Sequence, residues 1–124
     1  MQPVGHDMLY LLERSDNNKT HTFIGTTTNF EQRLREHNNT YSAHWAPVLL
    51  LKLPTSRECS AITLRDMWKR NARGLTSRVN YGLKIAKKTN AVVYIHTTDT
   101  PILNTLNAYP GEPKDVPASF WKQF

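Results

Sequence analysis

The sequence predicts a small α/β domain of the α+β kind, and three observations carry that reading. Four short apolar runs rich in β-branched or aromatic residues lie at Met8–Glu13, Thr22–Gly25, Val48–Leu53 and Ala91–His96. Three other segments repeat apolar residues at helical spacing or open on helix-capping residues. The 124-residue length makes one domain the default.

In chain order, Met1–Asp7 is an irregular lead-in and Met8–Glu13 is the first strand. Arg14–His21 is polar and contains the turn signal Asp16-Asn17-Asn18, so the first two strands are expected to form an antiparallel hairpin with a long loop. That hairpin would bring Tyr10 and Phe23 together near the base of the first helix. Gly25 is read as a sharp backbone turn after the second strand. Thr28 and Asn29 are good N-caps, and Thr28 with Glu31 spells a capping box for a helix over Asn29–Asn38. Phe30, Leu34 and His37 share one face of that helix, with Arg33 beside them.

Tyr41–Pro47 is a loop carrying Tyr41, His44 and Trp45, and Pro54 stops the third strand. Thr55 with Glu58 spells a second capping box, opening a helix whose apolar positions are Ala61, Leu64, Trp68 and Ala72. On a helical wheel Arg65 lies only about 40° from Ala61, inside the apolar stripe, where a charge needs a reason. Asp66 lies about 140° round, toward solvent. Gly74 interrupts the pattern. Thr76 or Ser77 is a cap for a third helix reaching Lys88, with basic residues Arg78, Lys84, Lys87 and Lys88. A domain over residues 8–97 is followed by a tail, 98–124, with Pro101, Pro110, Pro113 and Pro117. Phe120, Trp121 and Phe124 are candidates to dock it on the domain.

Composition narrows the function classes. A hydrophobic content of 39% supports only a modest core. No apolar run approaches the ~20 residues of a membrane span, and no secretory signal pattern opens the sequence. The single cysteine, Cys59, excludes an internal disulfide and fits a reducing, intracellular setting: nucleus, cytoplasm or a viral replication site. Cys59 reads as a small core residue, and the histidines show no zinc spacing. A net charge of +6 favours a polyanionic partner, most simply nucleic acid. Oligomeric state leaves no mark on the sequence.

Arg33 and His37 carry the chemistry, because their spacing aims both at one place. An Arg near a helix N-terminus suits a phosphate, and a His one turn later can move a proton near neutral pH. The plain alternative is a solvated helix face with a His complementing the helix dipole.

The pattern Leu9-Tyr10-Leu11-Leu12, then Phe23-Ile24-Gly25-Thr26-Thr27, then Arg33-Leu34-Arg35-Glu36-His37-Asn38 resembles the GIY-YIG nuclease superfamily. Within it the text looks most like the Slx-type structure-specific endonucleases, with their CYLL strand, YVGFT strand and RR-x-x-QHN helix. Weaker likeness extends through Pro47–Leu53, Ser60–Leu64 and Trp68-Lys69, over roughly residues 8–97. The resemblance implies a mainly antiparallel central sheet flanked by about three helices. It also implies hydrolysis of DNA phosphodiesters with one divalent cation, Mg²⁺ or Mn²⁺. By it, Tyr10 sits near the attacking water, Arg33 stabilises charge on the phosphate, and His37 orients the tyrosine or the nucleophile. The separate zinc-binding domain of Slx-type proteins has no counterpart in these residues.

Two positions depart from the pattern. Phe23 replaces the second motif tyrosine, and Arg65 occupies the position expected for the metal-binding Glu. An Arg is always protonated and offers no acceptor to a metal. Asp66 is the candidate replacement ligand. Glu58 shares the face of Arg65 but sits roughly 10 Å along the axis.

Three readings follow. The first is a metal-dependent DNA endonuclease, with branched or flap DNA as a candidate substrate. The second is an inactive DNA-binding module, gripping phosphates through Arg33, Arg35, Arg65, Lys84, Lys87 and Lys88, with Trp45, Tyr41 or Tyr10 stacking on bases. The third is a basic structural or interaction protein.

Overall fold

The computed structural model describes residues 8–40, 45–54, 60–95 and 114–115. Five strands and three helices run in the order β1 (Met8–Asp16), β2 (Lys19–Thr27), α1 (Phe30–Thr40), β3 (Ala46–Lys52), α2 (Ala61–Asn71), α3 (Leu75–Thr89), β4 (Val92–Ile95) and β5 (Lys114–Asp115). They form one sheet in the order β2-β1-β3-β4-β5. Each neighbouring pair among the first four strands is antiparallel, and the two-residue β5 pairs parallel to β4. Of the C-terminal tail only Lys114 and Asp115 are described; Phe120, Trp121 and Phe124 lie outside the described residues.

β1 is nearly continuous in apolar residues because helices cover both faces of the strand. Leu9 and Leu11 point to the face packed by Ala61, Leu64 and Trp68 of α2 and by Val79, Leu83 and Ala86 of α3. Met8, Tyr10 and Leu12 point to the other face, where Phe30 of α1 lies buried, with Leu34 against it. The alternation of side chains along a strand therefore divides the core in two. The register against β3 slips between Leu11 and Leu12, so that Leu11 faces Leu49 and Leu12 faces Pro47. This irregularity lets the adjacent Val48 and Leu49 both join the α2–α3 core.

Several local expectations are corrected. The hairpin has no long loop: the strands pair down to Asp16 and Lys19. Asn17 and Asn18 turn alone, both at positive φ (49° and 63°), a conformation that asparagine tolerates and tight hairpins favour. Gly25 is not a turn but lies inside β2. The cap of α1 is Asn29, whose Oδ1 accepts the Gln32 backbone N–H at 3.1 Å, in place of the Thr28–Glu31 box. α2 begins at Ala61, because Ser60 is extended (φ −67°, ψ 133°) and its side chain caps the Ile62 N–H. Thr55 and Glu58 lie outside the described residues. α3 begins at Leu75 behind Gly74 at φ 80°, ahead of the expected Thr76 or Ser77.

α2 and α3 are locked through Trp68 and Arg78. Trp68 Nε1 donates to the Arg78 carbonyl (2.7 Å). Arg78 in turn donates to the Ala72 carbonyl (3.0 Å) and to Thr22 Oγ1 of β2 (2.8 Å). Arg78 is thus a half-buried strut. Gly82 lets the Trp68 ring approach α3: a Cβ there would lie 2.5 Å from Trp68 Cζ2 and 2.7 Å from Leu49 Cδ2. Gly82→Ala would gain about 1 kcal/mol of helix propensity but overpack two rigid core groups, at about 1–3 kcal/mol. The expected net result is a lower urea midpoint for Gly82→Ala at an unchanged m-value. A raised midpoint would show that the core yields.

Candidate active site

The site begins with the pairing of Tyr10 on β1 opposite Gly25 on β2. A Cβ at Gly25 would fall 2.5 Å from Tyr10 Cζ and closer still to the hydroxyl. The missing side chain is therefore the space in which the phenol ring lies. Phe23 flanks that ring at 6.2 Å between centroids and Phe30 at 5.2 Å. The phenol is 1% exposed, so its hydroxyl needs a partner. It shares a 3.1 Å hydrogen bond with His37 Nε2.

α1 brings His37 there. Asn29 fixes the start of the helix, Phe30 anchors its first turn in the core, and His37 follows two turns later on the same face. The imidazole packs edge-on to Phe23 at 4.3 Å. Burial, with Arg33 adding to it and Glu36 opposing, holds the His37 pKa below its usual value of 6.5. The ring is therefore neutral at neutral pH, and in the tautomer that carries its proton on Nδ1 it accepts from the Tyr10 hydroxyl. Burial also raises the Tyr10 pKa above 10.0, against the opposing influence of Arg33 and Arg65. Arg33, one turn before His37, holds its proton more tightly chiefly because of the Tyr10 hydroxyl, with help from Glu36. Its guanidinium donates to Glu36 at 3.1 Å, and both side chains remain half exposed.

A cavity of about 350 Å³ opens over these groups. Tyr10, Phe23 and Gly25 line it from the sheet, Thr26–Asn29 from the β2–α1 junction, Gln32, Arg33 and Glu36 from α1, and Arg65 and Lys69 from α2. Of the residues expected from the sequence, the cavity lining holds Tyr10, Phe23, Arg33 and Arg65, while His37 lies behind it, bonded to Tyr10. Sequence reasoning missed Glu36 and Lys69, although Glu36 is three residues after Arg33 and Lys69 four after Arg65, each on the same helical face.

The other candidates lie elsewhere. Asp66 does not line this cavity; its carboxylate accepts from Arg65 Nε at 3.1 Å and borders a separate surface depression with Thr63, Lys69 and Arg70. Arg35 is exposed and bound to Glu31 at 2.8 Å. Lys84, Lys87 and Lys88 are exposed on α3 and do not line the cavity. Trp45 packs on Phe23 at 6.1 Å, beneath the Arg14 guanidinium 5.2 Å from its ring centroid. Asn38 Oδ1 accepts the Trp45 backbone N–H at 2.7 Å. Tyr41, His44 and Cys59 lie outside the described residues.

A divalent cation needs several hard oxygen ligands. Among the described residues no three His, Cys, Asp or Glu side chains gather to hold a metal ion. The cavity offers one carboxylate, Glu36, already paired with Arg33, against three cations, Arg33, Arg65 and Lys69. This donor set fits an anion and does not fit a divalent cation.

The family described as the GIY-YIG catalytic domain matches residues 7–58, the stretch from β1 through β3 that carries Tyr10, Phe23, Arg33 and His37. No curated protein matches the chain. The match supports the GIY-YIG superfamily, and the four-stranded antiparallel sheet with three helices is an α+β fold that fits that domain. It supports a nuclease-type function, for which DNA is the implied substrate; nucleases of this kind are generally dependent on a divalent metal. No helix among the described residues is long and apolar enough to cross a membrane.

The His37 environment has a measurable consequence. Its folded-state pKa lies below the unfolded value of 6.5, so the unfolded chain binds the proton first on acidification. The contribution of neutral His37 is complete above pH 6.5 and is lost as pH falls toward the folded-state pKa. The urea midpoint should therefore fall over that window in the wild type, and fall less in His37→Gln. Equal slopes for the two proteins would contradict the assignment.

Proposed function

We infer that this domain is a DNA endonuclease of the GIY-YIG type, acting on a phosphodiester held in the cavity between α1 and α2. The single observation that carries the reading is the 3.1 Å bond between the Tyr10 hydroxyl and His37 Nε2, with Arg33 lining the same cavity. A phosphodiester is hydrolysed when water attacks phosphorus and the P–O bond to the leaving sugar breaks. Tyr10 takes a proton from the attacking water as it gives its own to His37, which is neutral and able to accept. Arg33 donates to the non-bridging oxygens as negative charge grows on them. The departing alkoxide takes a proton from solvent, and His37 returns its own to solvent. Phe23 keeps the imidazole and phenol rings in place without contributing a hydroxyl.

Within the superfamily, the Slx-type resemblance of the first two strands and of Arg33–Asn38 favours branched or flap DNA as the substrate. The exposed lysines of α3 suit the flanking duplex, with an affinity that falls as salt rises.

The test is incubation with labelled flap, junction and linear DNA, in Mg²⁺, Mn²⁺ or EDTA. Nicking is expected in at least one of these conditions. Arg33→Ala and Tyr10→Phe should each lower it by about 10²- to 10³-fold. Binding without nicking under every condition would overturn the reading in favour of a module that grips DNA and does not cut it.

A further inference from the structure

The cavity carries more positive charge than Arg33 alone would bring to a phosphate. Arg65 and Lys69 stand four residues apart on α2, so they reach the cavity from one helical face, a turn apart. Arg33 lines the same cavity from α1. The Arg65 side chain is 32% exposed and lines the cavity. Asp66 holds it by Nε alone, at 3.1 Å. Among the described residues one of five guanidinium N–H donors is thereby used, and the fork at the far end of the group is left to meet a ligand. Among the described residues that line the cavity the one carboxylate, Glu36, is committed to Arg33.

This arrangement discriminates between two kinds of ligand. A divalent cation would meet the permanent charge of Arg65 and the ammonium of Lys69, with no cluster of carboxylates among the described residues to replace its water. A phosphate would meet a planar fork that matches two of its oxygens and a point charge one turn away. We propose that Arg65 and Lys69 form a phosphate clamp on the α2 wall of the cavity, supplying the positive charge that a divalent ion would otherwise bring, so that phosphodiester binding here needs no divalent cation. The clamp rests on the reading that a phosphodiester enters this cavity. Arg33 then serves one side of the phosphate and the Arg65–Lys69 pair the other, with Asp66 as the positioning residue for Arg65.

The test is a ¹H–¹⁵N NMR titration with a phosphorothioate-linked thymidine tetranucleotide, which resists cutting, in buffer containing EDTA. The neutral methylphosphonate tetranucleotide is the comparison. The Nε–Hε signals of Arg33 and Arg65 are expected to move together along one saturation curve, and Mg²⁺ should not tighten binding. Arg65→Ala and Lys69→Ala should each weaken it about tenfold, because a hydrogen bond to a charged group is lost. Arg65→Lys, which keeps the charge and loses the fork, should fall between wild type and Arg65→Ala. The amide spectrum of each variant reports whether it is folded. If Arg33 moves while Arg65 stays still, or if binding appears only with Mg²⁺, the clamp is overturned and the function proposed above stands. If neither arginine responds, the cavity is not a phosphate site and both readings fall.

Discussion

The approach of the Tyr10 ring to the backbone of Gly25 is the constraint on which the site depends. Tyr10 belongs to β1, a central strand hydrogen-bonded to β2 on one side and β3 on the other. Its ring reaches a cavity beside the edge strand β2 only because the residue opposite has no side chain. A buried phenol hydroxyl without a partner would cost about 1–3 kcal/mol, so the packing of Tyr10 demands a hydrogen-bonding group at one place. His37 fills that place, and Phe30 and Leu34 hold the helix that carries it. Sheet pairing, helix docking and site geometry are therefore a single arrangement.

Electrostatics then divides the cavity in two. On the α1 side, Arg33 is balanced by Glu36, and the neighbouring His37 is kept neutral by burial and by that same Arg33. On the α2 side, Arg65 is paired with Asp66, which is not part of the cavity lining, and Lys69 adds a second cation. A proton acceptor beside a cationic wall suits a reaction in which a neutral nucleophile is deprotonated while charge accumulates on phosphate oxygens. The lysines of α3 add to the net charge of +6 without entering the cavity, consistent with contacts to a longer stretch of backbone.

Much of this was legible in the sequence because short-range rules and tertiary packing agree there. The helical stripe Ala61, Leu64, Trp68 and Ala72 is buried throughout, and Tyr10 and Phe23 meet as the hairpin requires. Other features were not legible, each for an identifiable reason. Asn17-Asn18 looked like part of a long loop because the pairing that runs down to Asp16 and Lys19 is made by polar residues. Gly25 looked like a turn because glycine signals conformational freedom more often than close approach, and only the folded pairing reveals the ring above it. Thr28 and Asn29 are both acceptable caps by composition, and the structure uses Asn29 for α1 and Ser60 for α2. Glu36 and Lys69 were readable as helical neighbours of Arg33 and Arg65, but the wall they share is formed by two distant helices.

The most direct test of this account is the energetic coupling between Tyr10 and His37. Unfolding free energies would be measured by urea for the wild type, Tyr10→Phe, His37→Gln and the double variant at neutral pH. The account expects the single losses to exceed the loss in the double variant when summed, with a coupling of about 1 kcal/mol, because each single variant already removes the shared bond. Additive losses would mean that the two groups are neighbours without a bond, and the geometry argued for the site would be wrong.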